Sequence, residues 1–393
     1  MTGTDTSRPL PTAGLGMIYW LDAAPPEEWP HDFDAMRQAG ASFVIIADWF
    51  DLADVFREEV DHIGRALDVC QHNGLKACLH VFPAAQMLEP YPIHFIGDER
   101  FSGGYLAYRR SHEKYKGGPT HRMVDAFGYL APFYDLFSLA WQDEWFFPYL
   151  DAVIGHYGRH PAVAGYEFSN LLLLPLVRAD AAAIMSYSDE DSARFRQWRE
   201  QHGKAPIDPP VLPGRWSEDW CDWMAARRQW LAEWAVRTVR FIHERSPGRA
   251  AILHDDAQYL VWSAPLCGGY TPEMASAFDA FVVEHYFLPR QLDPVQIGRQ
   301  IDIDLATAAS LVPNRTPGWR AQCHTRCGDA CLSAELLRQM LEATVARGVR
   351  RIEIDCYRRP RVPGHVFDYQ QTLHARPEML PVMRDLAHRL EGG

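Results

Sequence analysis

Positive charge is in short supply in this chain: 39 Lys+Arg stand against 51 Asp+Glu, a formal net charge of −12. With no basic tract to neutralise phosphates, nucleic acid and anionic membrane surfaces are excluded as expected partners. Long apolar runs are absent as well. No stretch approaches the ~20 residues needed to span a bilayer, so no membrane insertion is expected. The opening MTGTDTSRPLPTAG has no charged-then-apolar leader pattern, and a cytoplasmic location is the expectation. Cysteine is sparse, with eight in 393 residues (70, 78, 221, 267, 323, 327, 331 and 356). That is not a secreted disulfide framework. Most sit in apolar contexts such as LKACLHVF and read as reduced, buried thiols. Internal repeats and low-complexity tracts are missing too.

What is present is alternation. Short runs rich in Val, Ile and Phe recur at 15–21, 42–48, 76–82, 163–170, 250–255, 280–286, 318–324 and 351–357. Helical patterns separate them, among them 30–39, 55–72, 147–157, 219–244 and 333–347. The last opens with Ser333 and Glu335 and stops at Gly348, residue types suited to the two ends of a helix. Eight strands followed by helices predict an α/β fold, a (β/α)8 TIM barrel, in preference to a doubly wound sheet with a second domain. The predicted organisation is a tail over 1–14 and one barrel domain over 15–393.

Two long insertions break the rhythm, about 84–146 after the third strand and 172–218 after the fourth. Both follow strand C-termini, where barrels of this kind build ligand sites. Their aromatic content predicts ordered loops.

The segment VAGYEFSNLLL resembles the fourth strand of the (β/α)8-barrel retaining glycoside hydrolases, the clan of many cellulases and β-galactosidases, where G-[WY]-[DE]-x-x-Asn-Glu ends on the acid/base Glu. Gly165, Tyr166, Glu167 and Asn170 match, and Leu171 occupies the catalytic position. ASFVIIADWF resembles the second strand, with Trp49 matching, and LKACLHVFP the third, with His80 near its end. FVVEHYF resembles the sixth strand's His-x-Tyr, although Tyr286 comes one residue early and Phe287 fills the usual place. PGWRAQCH resembles the seventh strand, with Gln322 where the family has its nucleophilic Glu. ARFRQWREQHG and RWSEDWCDWM resemble the helical stretch after the fourth strand in β-galactosidase-like members. The second-strand arginine is replaced around Ile45 and Ile46, and the eighth-strand tryptophan reads Cys356 and Tyr357. The resemblance spans about 15–357 and implies a barrel fold. Ordinary retaining hydrolysis needs two carboxyl groups about 5–5.5 Å apart. Leu171 carries no proton and Gln322 is a neutral, poor nucleophile, so that reaction is not expected.

Strand alternation sorts the remaining polar residues. Arg320, Gln322 and His324 share one face, as do Glu353 and Asp355, and as do Glu167 and Ser169. Pointing inward, Arg320, Glu167 and Glu353 are expected to form an ion-pair network. Asp355, nearer the mouth, is the stronger catalytic candidate. His324, Asp255 and Glu284 complete the catalytic set; His324 could carry a proton near neutral pH, and Asp255 could equally be a helix cap. If His285 follows the family's inward histidine, Glu284 turns toward the helices. Candidates for binding substrate are Trp20, Asp48, Trp49, His80, Glu167, Asn170, His285, Tyr286, Gln322 and Tyr357, since flat rings beside carboxylates suit a hydroxyl-rich ligand. Cys323, Cys327 and Cys331 recur every fourth residue, with Cys356 on the neighbouring strand. Zinc held with His324 or Cys356 is chemically feasible, but buried thiols fit better, and no metal and no cofactor are expected.

The expected function is a glycosidase-like barrel repurposed for acid/base chemistry (hydrolysis, elimination or cyclisation) on a sugar-like small molecule. The alternatives are a non-catalytic carbohydrate-binding relative and a thiolate-metal or cysteine-nucleophile enzyme.

Overall fold

All eight apolar runs become parallel strands of one closed barrel. In the computed structural model they are β1 Gly14–Trp20, β2 Phe43–Ala47, β3 Lys76–Val81, β6 Val163–Ser169, β7 Ala250–Asp256, β8 Ala280–His285, β9 Gly318–Gln322 and β10 Arg351–Arg358. Around the barrel the order is β1-β10-β9-β8-β7-β6-β3-β2, which closes the sheet through the parallel pairing of β1 with both β10 and β2. The structure describes residues 13–47, 61–81, 122–124, 130–169, 187–211, 217–256, 270–285, 287, 293–323, 332–358 and 372–392. The fold is the predicted (β/α)8 TIM barrel, with helices between the strands.

Alternation along each strand divides two cores. The outward side chains, such as Leu15, Met17, Val44, Leu79, Phe168, Leu253, Val283 and Ile354, pack under the helices. Ile18, Trp20, Phe43, Ile45, Ala47, Cys78, Ala164, Ile252, Val282 and Cys356 form a second apolar cluster inside the barrel. Phe43 fills the space beside Gly16, where any Cβ would collide with the ring, and the Arg351 guanidinium lies 4.4 Å from the ring centre on another side.

The helices are α1 Trp29–Gln38, α2 His62–His72, α3 Phe147–Tyr157, α4 Asp189–Gln201, α5 Glu218–Arg245, α6 Pro272–Ala277, α7 Pro294–Leu311, α8 Ala334–Ala346 and α9 Leu380–Gly392. The predicted signals of α8 act as expected. Ser333 Oγ accepts from the Leu336 N–H at 3.1 Å, and Gly348 at φ +82° takes the left-handed turn into β10. The 28 residues of α5 are anchored by Trp220, Trp223, Trp230 and Trp234, all buried. Among the described residues no helix is long and apolar enough to cross a membrane.

The described part of 84–146 carries regular structure where the sequence reading expected a loop, and that of 172–218 carries a helix over the ARFRQWREQHG stretch that the resemblance likened to one. An antiparallel hairpin pairs β4 Arg122–Val124 with β5 Leu130–Tyr134, and α4 opens with a reciprocal cap between Ser188 and Asp191. The two stretches meet through buried acids. Asp135 Oδ1 accepts from the Phe137 N–H at 3.0 Å, and Asp191 Oδ2 accepts from Ser188 Oγ at 2.6 Å. The carboxyls also interact with each other, while Asp135 Oδ2 and Asp191 Oδ1 have no donor among the described residues. One proton between the two carboxyls would satisfy both oxygens.

Burial, and then the charge of Asp191, push the Asp135 carboxyl well above its ordinary range, and the nearby Arg227 only partly offsets this. The folded state therefore holds a proton that the unfolded chain releases above about pH 3.9, so stability falls as pH rises through that window, by at most ~1.4 kcal/mol per pH unit for one proton. Asp135→Asn offers Asp191 an amide N–H that does not titrate. The variant is expected to lose this slope and gain stability at pH 8. Urea unfolding at pH 5 and pH 8 checks it; an unchanged slope counts against the shared proton.

Candidate active site

Inside the barrel β1 and β2 supply half of the apolar cluster and no polar member of the band, whose residues come from β3 and from β6 through β10. Register fixes who meets whom. Glu353 pairs with Arg320 and Asp355 with Gln322; Arg320 pairs in turn with Glu284, and His80 with Glu167.

Arg320 is the centre of this band. Its Nη2 donates to Glu167 Oε1 at 2.6 Å and its Nε to Glu353 Oε2 at 3.0 Å. Arg351 Nε donates to the other Glu353 oxygen at 2.9 Å. The expected ion-pair network is therefore present, extended by Arg351. Burial pushes the Glu353 carboxyl up, but the two guanidiniums outweigh it and hold the group at about 2. Of the two, only Arg320 bonds Glu167 directly, and burial leaves that carboxyl raised. For Arg320, burial works against the charge, yet Glu167, Glu353 and Glu284 more than restore it. His80 sits 3.9 Å from Glu167. Burial first, then Arg320 and His254, keep its ring well below the usual histidine range.

Above the network, toward the strand C-termini, lies a second group. Gln322, the last residue of β9, donates from Nε2 to Glu284 Oε1. His254 Nε2 lies 3.0 Å from Glu284 Oε2, and Arg320 Nη1 is 3.0 Å from His254 Nδ1. Asp355 flanks Gln322 from β10. Glu284, Asp355, Gln322 and His254 are each no more than 3 % exposed. The Gln322 amide holds one oxygen of the Glu284 carboxylate, the His254 ring stands 3.0 Å from the other without a hydrogen bond to it, and Asp355 lies across from the same amide on β10.

Three side chains stand elsewhere than the sequence reading expected. His285 faces the helices: its Nδ1 lies 3.4 Å from Asp304 on α7 and its ring packs on Phe287. Glu284 therefore takes the inward place, the reverse of the expected assignment. Asp255 also belongs to the outer layer, because His254 beside it points inward; the Tyr270 hydroxyl donates to Asp255. Tyr357 stacks on Tyr19 at 6.2 Å between ring centres, and Tyr19 belongs to the outer core. The cause is an irregularity in which β10 advances from Ile354 to Arg358 while β1 advances only from Met17 to Tyr19. Simple alternation from Glu353 therefore fails at Tyr357.

Trp20, His80, Glu167, Gln322 and Asp355 do face the interior. Asp48, Trp49, Asn170, Tyr286 and His324 lie outside the described residues, as do Leu171, Cys327 and Cys331. Cys323 packs in the outer core and Cys356 in the inner cluster, so these two thiols do not share a surface. Among the described residues no three His, Cys, Asp or Glu groups are set to hold a metal ion. Sequence reasoning missed His254. Its only signal was polarity next to two aspartates in HDDA, and those drew the attention.

No family model matches the sequence, and no curated protein matches it. Solved structures do. A β-galactosidase from the psychrophilic Marinomonas ef1 superposes with a TM-score of 0.67 at 15 % identity, over 96 % of this chain and 59 % of that one. The β-galactosidase of the Antarctic haloarchaeon Halorubrum lacusprofundi gives 0.67 at 18 %, over 96 % and 57 %. The PgaB (BpsB) glycoside hydrolase domain from Bordetella bronchiseptica gives 0.57 at 12 %, over 95 % and 99 %. The chain thus spans less than three fifths of the two β-galactosidases and nearly all of the Bordetella domain. At these identities the likeness is one of fold, and that fold is a glycoside-hydrolase-like TIM barrel.

Proposed function

We propose that this chain is a glycosidase-like enzyme acting on a sugar-like, hydroxyl-rich small molecule, with Glu284 and Asp355 as its acid/base pair. The observation that carries the reading is the inward Glu284 in contact with Gln322. The seventh strand has an amide where the resemblance expects a nucleophilic carboxylate. The neighbouring strand supplies a carboxylate against that amide, and Asp355 supplies another from the opposite side. Both lie near strand C-termini, where barrel enzymes do chemistry. Trp20, at the end of β1 in the inner cluster, offers an apolar ring of the kind that stacks on sugars. The β-galactosidases and the glycoside hydrolase domain of like fold favour the same substrate class, as analogy only. Because Leu171 and Gln322 replace both expected catalytic carboxylates, the reaction proposed is not the ordinary retaining displacement through those two positions.

The test is a panel of aryl glycosides, oligosaccharides and free sugars, followed for product with the wild-type chain and with Gln322→Glu, and for binding by calorimetry. Turnover of at least one compound by the wild type is expected. Saturable binding without product across the panel would mean a carbohydrate-binding relative and sink the reading. So would strong hydrolysis gained only by Gln322→Glu, because the barrel would then be a disabled ordinary glycosidase.

A further inference from the structure

We infer that His254 is a positioning residue for Glu284, fixed by Arg320 as the neutral ring that carries its proton on Nε2. The inference rests on the proposed role of Glu284 for its functional meaning, but its geometry is independent of that role.

A guanidinium has only donors. Arg320 Nη1, 3.0 Å from His254 Nδ1, therefore requires a bare nitrogen there. A protonated imidazole would aim a second N–H at the guanidinium, which the same contact forbids. The single ring proton is then on Nε2, which lies 3.0 Å from Glu284 Oε2 but out of line for a hydrogen bond to it or to any other acceptor among the described residues. Gln322 holds the other oxygen. The order Glu353–Arg320–His254–Glu284 thus runs from β10 through β9 and β7 to β8, each link buried. Glu167 and Glu353 fix the guanidinium, the guanidinium fixes the tautomer, and the tautomer sets the proton-bearing nitrogen beside the carboxylate. The groups facing the ring are Arg320, Glu284, Glu167, Glu353, His80 and the adjacent Asp255. Burial and then Arg320 dominate, and they bring the ring down to about 4, so the arrangement persists through the neutral range. A ring locked from behind keeps that nitrogen 3.0 Å from the carboxylate and so limits where the carboxylate can sit, and proton transfer needs narrow geometry, where a 1 Å error can cost about 10²-fold.

Long-range ¹H–¹⁵N spectra of the labelled full chain, with His254 assigned through bonds to its own backbone, test the tautomer without reference to activity. A neutral ring with its proton on Nε2 from pH 8 down to pH 5 is expected. A proton on Nδ1, or a titration centred near pH 6.5, overturns the inference even if the chain proves to be an enzyme. Once a substrate is in hand, His254→Leu is expected to lower kcat at least ~10-fold and move the acid limb of the pH–rate profile upward, because Glu284 loses the polar ring edge beside it. His254→Gln, which keeps an N–H donor, is expected to restore much of both. Equal losses in the two variants with an unmoved profile would reduce His254 to packing. Absence of any turnover defeats the proposed function but leaves the spectroscopic result to stand or fall by itself.

Discussion

Replacing Arg320 with methionine is expected to lower the free energy of unfolding by about 3–5 kcal/mol, the usual cost of removing one partner from a buried ionic group. The side chain is 2 % exposed and touches Glu167, Glu353 and His254. Methionine fills much of the same volume, so the loss is electrostatic rather than a cavity effect. Glu353 retains Arg351, whereas Glu167 loses the one guanidinium bonded to it among the described residues. That asymmetry makes a second variant informative. Adding Glu167→Gln to Arg320→Met removes the carboxylate that the first change stranded, and it should recover part of the loss. Urea unfolding followed by circular dichroism would read both. A single-variant loss below about 1 kcal/mol would be that of a surface pair and would mean that water reaches the band.

Acid should expose the same network. Glu353 is depressed to about 2 in the folded state, so its contribution is complete above its unfolded value, about 4.3, and disappears as pH falls toward 2. Removal of Arg320 should weaken this acid dependence, because one of the two opposing charges is gone. Glu167 is raised and works in the other direction, so the net acid slope of the wild type is shallower than Glu353 alone would give.

The barrel was legible because its strands are short apolar runs at regular intervals, and their limits agree closely with the structure. The run read as 163–170 is Val163–Ser169, and the one read as 76–82 is Lys76–Val81. Inward polarity was also legible where polar and apolar residues alternate, as in Trp319, Arg320, Ala321 and Gln322 or in Ile352, Glu353 and Ile354. It failed in β8 for a physical reason. Phe281, Val282 and Val283 are all apolar, so the strand can be seated on either parity without exposing a mismatch. The seating comes from tertiary register instead. Glu284 pairs beside the inward Arg320, and Asp304 on α7 receives His285 from outside. Neither constraint is local. The same holds in β7, where Ala251, Ile252 and Leu253 leave parity open until Tyr270 engages Asp255. Tyr357 was misplaced because the β10 irregularity inserts residues that no hydrophobic pattern announces.

That correction at β8 changes which residue should be indispensable. Glu284→Gln is expected to lower kcat by about 10²–10⁴-fold, the range for loss of a general acid or base, once a substrate is identified. The substitution preserves size but replaces an acceptor with an amide, one end of which carries two N–H groups. Gln322 Nε2 and His254 Nε2 both approach the position as donors, so one of them must then meet another donor. Substrate binding should change far less than turnover, because neutralising the carboxylate removes proton transfer rather than the cavity walls; steady-state kinetics with a parallel calorimetric Kd separates the two. Asp355→Asn provides the matching experiment on the other side of Gln322. If both groups serve the reaction, each single variant should be crippled and the double variant little worse, since residues that act as a unit are not additive. Retention of wild-type turnover by Glu284→Gln would remove it from the chemistry, and its contacts with Gln322 and His254 would then be structural ties across three strands. A deficit confined to Glu284→Gln, with Asp355→Asn unaffected, would leave one carboxylate without its proposed partner and direct the search for the acid to the opposite wall of the barrel, where His80 and Glu167 face the same interior.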